Sequence, residues 1–388
     1  MPIRPLSFQP PRIGIDADLD WVLCAAFGNV ATCEQPRDPR RALQIAQTTQ
    51  LSGRIAARLR SFREGSAADA LAEELNAYYY ENVVKQTLLM HALRRLGQLA
   101  ERFGTRVIAV KFGGLRLAGL ISVGSREASD LDVLLPKGRA RAFWRALVAA
   151  GFQRTNTHEY PHQLEALVDP DGAIIDLHVH LPGVVIEKGT FATAEQLAVH
   201  GLLTKADSST LVPRIDVLAA HAIAHALVQN RSTPQTHSPM RLLADLMDLR
   251  RAEPQIVRNA ARYLAPELEP TCATLERLCT SLSEGDFRGP NFHGTSEQIL
   301  LWHCLAARLD TGYAERLRAA GLAHKFRDGS SALEVGRYIA DLLYPSESAL
   351  DALYGPATGT ISRVRRRLGR PLDLIVRTIR RSMRSRGG

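Results

Sequence analysis

Ser129-Asp130-Leu131-Asp132-Val133-Leu134-Leu135 is a short apolar run interrupted by two acids at i and i+2. Alternate residues of a strand share a face, so Asp130 and Asp132 point one way while Leu131 and Val133 point the other. Further along, Ile174-Ile175-Asp176-Leu177-His178 places a third acid in another apolar run. Both runs read as strands, and as neighbours they would offer carboxylates to one site. Like charges at this spacing repel unless a cation lies among them. Mg²⁺ takes oxygen ligands, commonly a few carboxylates plus substrate phosphates. Such a site serves phosphoryl or nucleotidyl transfer by stabilising the attacking and leaving oxygens. Asp130, Asp132 and Asp176 are therefore the candidate metal ligands and catalytic groups. Alternating acids also decorate solvated strands, but the hydrophobic setting of both runs favours a site.

The surroundings build an α/β unit. Arg106 to Lys111 is β-branched and predicts a strand. Gly113-Gly114 then reads either as a plain turn or as a cradle where backbone N–H groups approach phosphate. Leu115 to Leu120 predicts a short helix, Arg139 to Ala150 an amphipathic one closed by Gly151, and Ala173 to Leu181 a strand entered through the turn Asp169-Pro170-Asp171-Gly172. Lys111 and Arg126 are candidates for triphosphate contact, with a solvated or carboxylate-paired side chain as the alternative.

The order strand, Gly-Gly, short helix, Arg126, Asp130-Leu131-Asp132, helix ending Ala149-Ala150-Gly151-Phe152, then Ile175-Asp176-Leu177-His178 resembles the polymerase-β-like nucleotidyltransferases. More closely it resembles the branch described as uncharacterised nucleotidyltransferases. Leu218 to His225 with Arg241 to Leu246 is similar to that branch's helical pair, and Leu342-Leu343-Tyr344-Pro345-Ser346 to its C-terminal part. The resemblance implies a mixed-sheet α/β (α+β) nucleotidyltransferase core flanked by helical regions at both ends. It implies two Mg²⁺ ions, with Mn²⁺ as a substitute, held by Asp130, Asp132 and Asp176. It implies an NTP as substrate, with Gly113, Gly114, Lys111 and Arg126 on the phosphate side. Two departures stand out: Gly-Gly replaces the superfamily's usual Gly-Ser, and Phe112 separates Lys111 from the glycines.

The organisation predicted is a helical region over 1–104, the core over 105–190, a second helical region over 191–355 and a basic tail over 356–388. Gly104 is expected to end the first helical region. Val217 to Gln229 and Met240 to Arg251 are the clearest later helices. His178 and His180 share the face of Asp176, and His178 is expected to orient that acid. His221 and His225 are at i, i+4 with no Glu after His221, so they read as packing residues beside an Arg241–Asp245 ion pair.

Residues 361–388 hold ten arginines against one acid, Asp373, which accounts for the whole formal net charge of +9. Pro371 to Met383 patterns as a basic amphipathic helix suited to an anionic membrane surface, nucleic acid or an acidic protein. The five cysteines, Cys24, Cys33, Cys272, Cys279 and Cys304, form no CxxC pair, so neither zinc nor a disulfide framework is expected. No signal peptide or transmembrane run is evident, and the expected compartment is the cytoplasm. The acceptor stays open among protein, small molecule, glycan precursor and RNA. A catalytically weak accessory protein working through its tail, and a toxin-like transferase acting on tRNA, are the alternative readings.

Overall fold

In the computed structural model, the described residues are 10–62, 70–155, 159, 162–187, 190–229 and 238–317. The chain divides into two units, Met1–Ala320 and Gly321–Gly388. The second unit, with the basic tail and the Leu342–Ser346 stretch, lies outside the described residues.

Helix ends are written into the sequence. The Asp16 carboxylate accepts from the Leu19 amide to start α1 (Ala17–Phe27). Asp38 does the same for α2 (Pro39–Thr48), with proline at the first helical position. Next come α3 (Ser52–Phe62) and the long α4 (Ala70–Arg102), whose Leu71, Leu75, Leu89, Leu93 and Leu96 are all buried. Gly104, at φ +70°, ends this region in the left-handed conformation that glycine tolerates.

The chain then enters β1 (Val107–Ala109), α5 (Lys111–Leu117), β2 (Asp130–Leu134), α6 (Lys137–Ala149), β3 (Gln153–Arg154), β4 (Leu167–Val168) and β5 (Ile174–His178). After these come β6 (Leu181–Val185), β7 (Phe191–Ala192), α7 (Ala194–Val199), β8 (Leu203–Lys205) and β9 (Thr210–Pro213). The main sheet is mixed and seven-stranded, in the order β3-β4-β5-β2-β1-β9-β8. β2 runs parallel to β5 and β1 parallel to β9, while β1 and β2 are antiparallel. β6 and β7 form a separate ribbon. Helices α8 (Ile215–Ala224), α9 (Pro239–Ala252), α10 (Ile256–Ala261), α11 (Glu269–Glu284) and α12 (Ser296–Leu309) complete the described chain, and α8 runs on as a π-helical turn, His225–Gln229.

One apolar core runs from Leu19 in α1 through Leu131, Val133, Ile175 and Leu177 of the sheet to Leu305 in α12. α3 is tied to α9 by a buried ion pair, Arg54 to Asp248 at 2.7 Å. Arg54 also donates to the Ala26 carbonyl, and Arg58 to those of Ala25 and Gly28. These guanidinium groups satisfy carbonyls that the end of α1 leaves open.

Several local expectations are corrected. The helix expected at Leu115 starts at Lys111, so both glycines lie inside it. The strand expected from Ala173 to Leu181 is divided into β5 and β6 around Val179-His180. A continuous helical region from about Ala194 is interrupted by β8 and β9, because Thr210-Leu211-Val212 finds an open edge beside β1. Cys24 and Cys33 form a disulfide where unpaired thiols were expected. The chain reverses through a short 3₁₀ turn, Val30–Thr32, between them, a proximity that spacing alone does not convey. Cys272, Cys279 and Cys304 are free and buried. No helix among the described residues is long and apolar enough to cross a membrane.

Candidate functional site

The register of β2 against β5 sets the site. Asp132 lies directly opposite Asp176, and Leu134 opposite His178. Ligand atoms of Asp132, Asp176 and His178 all lie within 4.8 Å of one another. Asp130 stands one step earlier on the same face of β2, opposite Ile174, and its carboxylate accepts from the Ser129 hydroxyl at 3.0 Å. The three acids thus lie along one face of the paired strands β2 and β5, with Asp130 outside the tightest grouping.

Asp132 is buried at 3% exposure, and one of its oxygens serves two partners. Lys111 Nζ donates to Oδ1 at 2.6 Å, and His178 Nε2 lies 2.9 Å from the same atom. Burial alone would push this carboxyl up; Lys111 and His178 more than reverse that and hold it well below the ordinary range. Asp176 goes the other way. Burial, then the charges of Asp132 and Asp130, push it up to about 6. The histidine expected to orient Asp176 is hydrogen-bonded instead to Asp132, across the strand pair.

Helix α5 presents Lys111 from a strained backbone. Lys111 has φ +46°, in the left-handed region that residues with a Cβ avoid. The turn expected at the glycines therefore falls at Val110-Lys111. Gly113 and Gly114 serve close packing: a Cβ on Gly114 would lie 2.8 Å from both the Ala109 carbonyl oxygen and Leu218 Cδ2, and one on Gly113 would lie 3.0 Å from Leu131 Cδ1. Arg126 reaches α9 with a two-pronged grip on Asp245, Nε to Oδ1 at 2.8 Å and Nη2 to Oδ2 at 3.0 Å. Asp245 pairs with Arg126 across the fold, and its charge also acts on Arg241, four residues back on α9.

The family of uncharacterised nucleotidyltransferases matches residues 35–283, a span that runs from before α2 into α11 and includes every residue just described. The chain belongs to this nucleotidyltransferase family. No curated protein matches the sequence. The solution structure of the antibiotic-resistance factor ANT(2'')-Ia is similar at 14% identity, covering 50% of this chain and 96% of that one, with a TM-score of 0.33.

The donor set of this nucleotidyltransferase fits a divalent cation. Two carboxylates and an imidazole converge, and Asp176 is raised by burial and then by negative neighbours whose charge a bound ion would neutralise. His178 Nδ1 is buried with no hydrogen-bond partner among the described residues.

Sequence reasoning missed the residues that pin the approach to β2. Gln86 Nε2 donates to the Arg126 carbonyl at 2.6 Å, and Gln86 Oε1 accepts from the Gly124 amide at 2.9 Å. Asn82, one turn earlier on α4, is also buried. Their signal was present as two amides at i, i+4 inside a leucine-lined helix. His221 of α8 is buried with neither ring nitrogen partnered among the described residues. Burial, then the charges of Lys111 and His178, lower it to about 3, so it stands as a neutral ring beside the site.

Proposed function

We propose that this nucleotidyltransferase is Mg²⁺-dependent and moves a nucleoside monophosphate from an NTP to a hydroxyl acceptor, releasing pyrophosphate. The observation that carries the reading is the pairing of Asp132 with Asp176 across β2 and β5, with Asp130 on the same face of β2. Asp130, Asp132 and Asp176 would hold the ion, with His178 bound to Asp132 and fixing its orientation. A bound ion supplies charge neutralisation at the α-phosphate and at the oxygens that attack and leave.

The protein's own groups do the rest. A carboxylate oxygen of Asp176 would take the proton of the acceptor hydroxyl. The acceptor oxygen forms a bond to the α-phosphorus as the bond to the bridging oxygen breaks, and the electron pair leaves with pyrophosphate. Lys111 and Arg126, paired here with Asp132 and Asp245, would offer positive charge to the triphosphate. Gly113 and Gly114 keep the first turns of α5 close against β1 and β2.

The test is calorimetric binding of each of the four NTPs with Mg²⁺, on the wild type and on Asp130→Asn/Asp132→Asn. Metal-dependent binding of at least one NTP, lost in the double variant, is expected. Absence of binding for every NTP with Mg²⁺ and with Mn²⁺ would sink the transferase reading and leave an accessory protein.

A further inference from the structure

Lys111 does more here than carry a charge near phosphates. Its ammonium sits 2.6 Å from the Asp132 carboxylate, with side-chain exposures of 13% and 3%. On the proposed function, that oxygen is one that a cation would share with Asp176. Two features show that the fold is built to hold it there. The Lys111 backbone is left-handed at φ +46°, a conformation unfavourable for a residue with a Cβ. The helix it starts cannot retreat, because Gly114 is already packed on the Ala109 carbonyl and on Leu218. A buried carboxylate needs a counter-charge, and here the chain supplies its own.

We propose that Lys111 is a tethered counter-ion that occupies the cation position at Asp132 in the free protein and exchanges with the divalent metal. The inference rests on the proposed function and deepens it. An ammonium and a divalent ion cannot both take Oδ1 of Asp132 without repelling each other. Metal entry therefore requires Lys111 to leave, and triphosphate oxygens give the ammonium a new partner of the same sign as the one it lost. Metal and nucleotide then enter as a linked pair, each making room for the other. In the free protein, Lys111 also keeps the acid cluster charge-compensated, so β2 and β5 carry their facing acids before substrate arrives.

The test is Mn²⁺ binding without nucleotide, followed by loss of the free-ion paramagnetic resonance signal, on wild type, Lys111→Met and Lys111→Arg. Lys111→Met should bind Mn²⁺ about tenfold or more tightly than wild type, since the competing charge is gone. Lys111→Arg keeps the charge and should stay near wild type. Thermal melting guards against a folding defect: Mn²⁺ should raise the melting temperature of Lys111→Met far more than that of wild type. A folded Lys111→Met that binds Mn²⁺ no better than wild type overturns the exchange. So does a Lys111→Met that stays unfolded at saturating Mn²⁺, because the metal then cannot stand in for the ammonium. Mn²⁺ bound by wild type with an NTP, together with unchanged Lys111→Met, defeats only this inference. Absence of Mn²⁺ binding to every form, with or without NTP, defeats it together with the transferase reading.

Discussion

At the scale of single residues, the buried pair Arg126–Asp245 carries a sharp energetic expectation. The partners are 119 residues apart, and their side chains are 11% and 7% exposed. Burial works against the guanidinium charge, yet Asp245 outweighs it and the Arg126 pKa is raised. Removing either partner strands a buried charge, which costs about 3–5 kcal/mol. Replacing both with apolar residues removes the penalty with the charges. Urea unfolding should therefore show Asp245→Ala and Arg126→Ala each strongly destabilised, with Arg126→Met/Asp245→Leu closer to wild type than either. A double variant whose loss equals the sum of the single losses would show that the two groups act independently. The same residues mark the limit of sequence reading. Asp130, Asp132 and Asp176 are legible because alternation on a strand is a local signal. The partners of Lys111, Arg126 and His178 are not, because each is chosen by a contact between distant segments.

At the scale of elements, α5 and α6 make opposite demands on glycine. Gly114 lies where α5 touches β1 and α8, and an added methyl would meet a backbone oxygen at 2.8 Å. Gly114→Ala should lower stability by about 1–3 kcal/mol, the usual cost of overpacking. Gly138 is exposed near the start of α6, and a Cβ there would meet nothing within 4 Å. Gly138→Ala should raise stability by about 0.5–1 kcal/mol through helix propensity and reduced unfolded-state entropy. Chemical unfolding of the two variants compares them directly, and equal shifts would contradict the packing assigned to α5. Hydrophobic period revealed α4, α6, α9 and the strands β1, β2 and β5, because each presents a long or strongly patterned face. It did not reveal β3, β7 or β8, which are two or three residues long and exist by pairing with a neighbour. Nor did it reveal the start of α5, where a strained lysine begins the helix that the glycines were expected to introduce.

At the scale of the whole described chain, the helical regions and the sheet share one core, so protonation of a buried group anywhere in it bears on global stability. His303 of α12 has Nδ1 2.7 Å from the Tyr313 hydroxyl, and burial lowers its pKa from 6.5 to about 4. The folded protein keeps this ring neutral, while the unfolded chain protonates it near 6.5. Between those values the unfolded state binds the extra proton. The contribution is thus fully present above about pH 6.5 and is lost as pH falls toward 4. His221, lowered to about 3, acts with the same sign. Asp176, raised to about 6, acts with the opposite sign, because there the folded state holds the extra proton. The overall acid slope mixes all three, but a difference between two proteins isolates one. Between roughly pH 6 and 4.5, unfolding free energies of His303→Leu should fall less steeply than those of wild type, by about 1 kcal/mol per pH unit. The measurement is urea unfolding across that range with chelator present, so that metal does not compete at the acids. The absolute stability of the variant is immaterial, since the lost bond to Tyr313 shifts its curve without tilting it. Parallel curves would mean that His303 titrates alike in the folded and unfolded chains, and that α12 leaves the ring open to water.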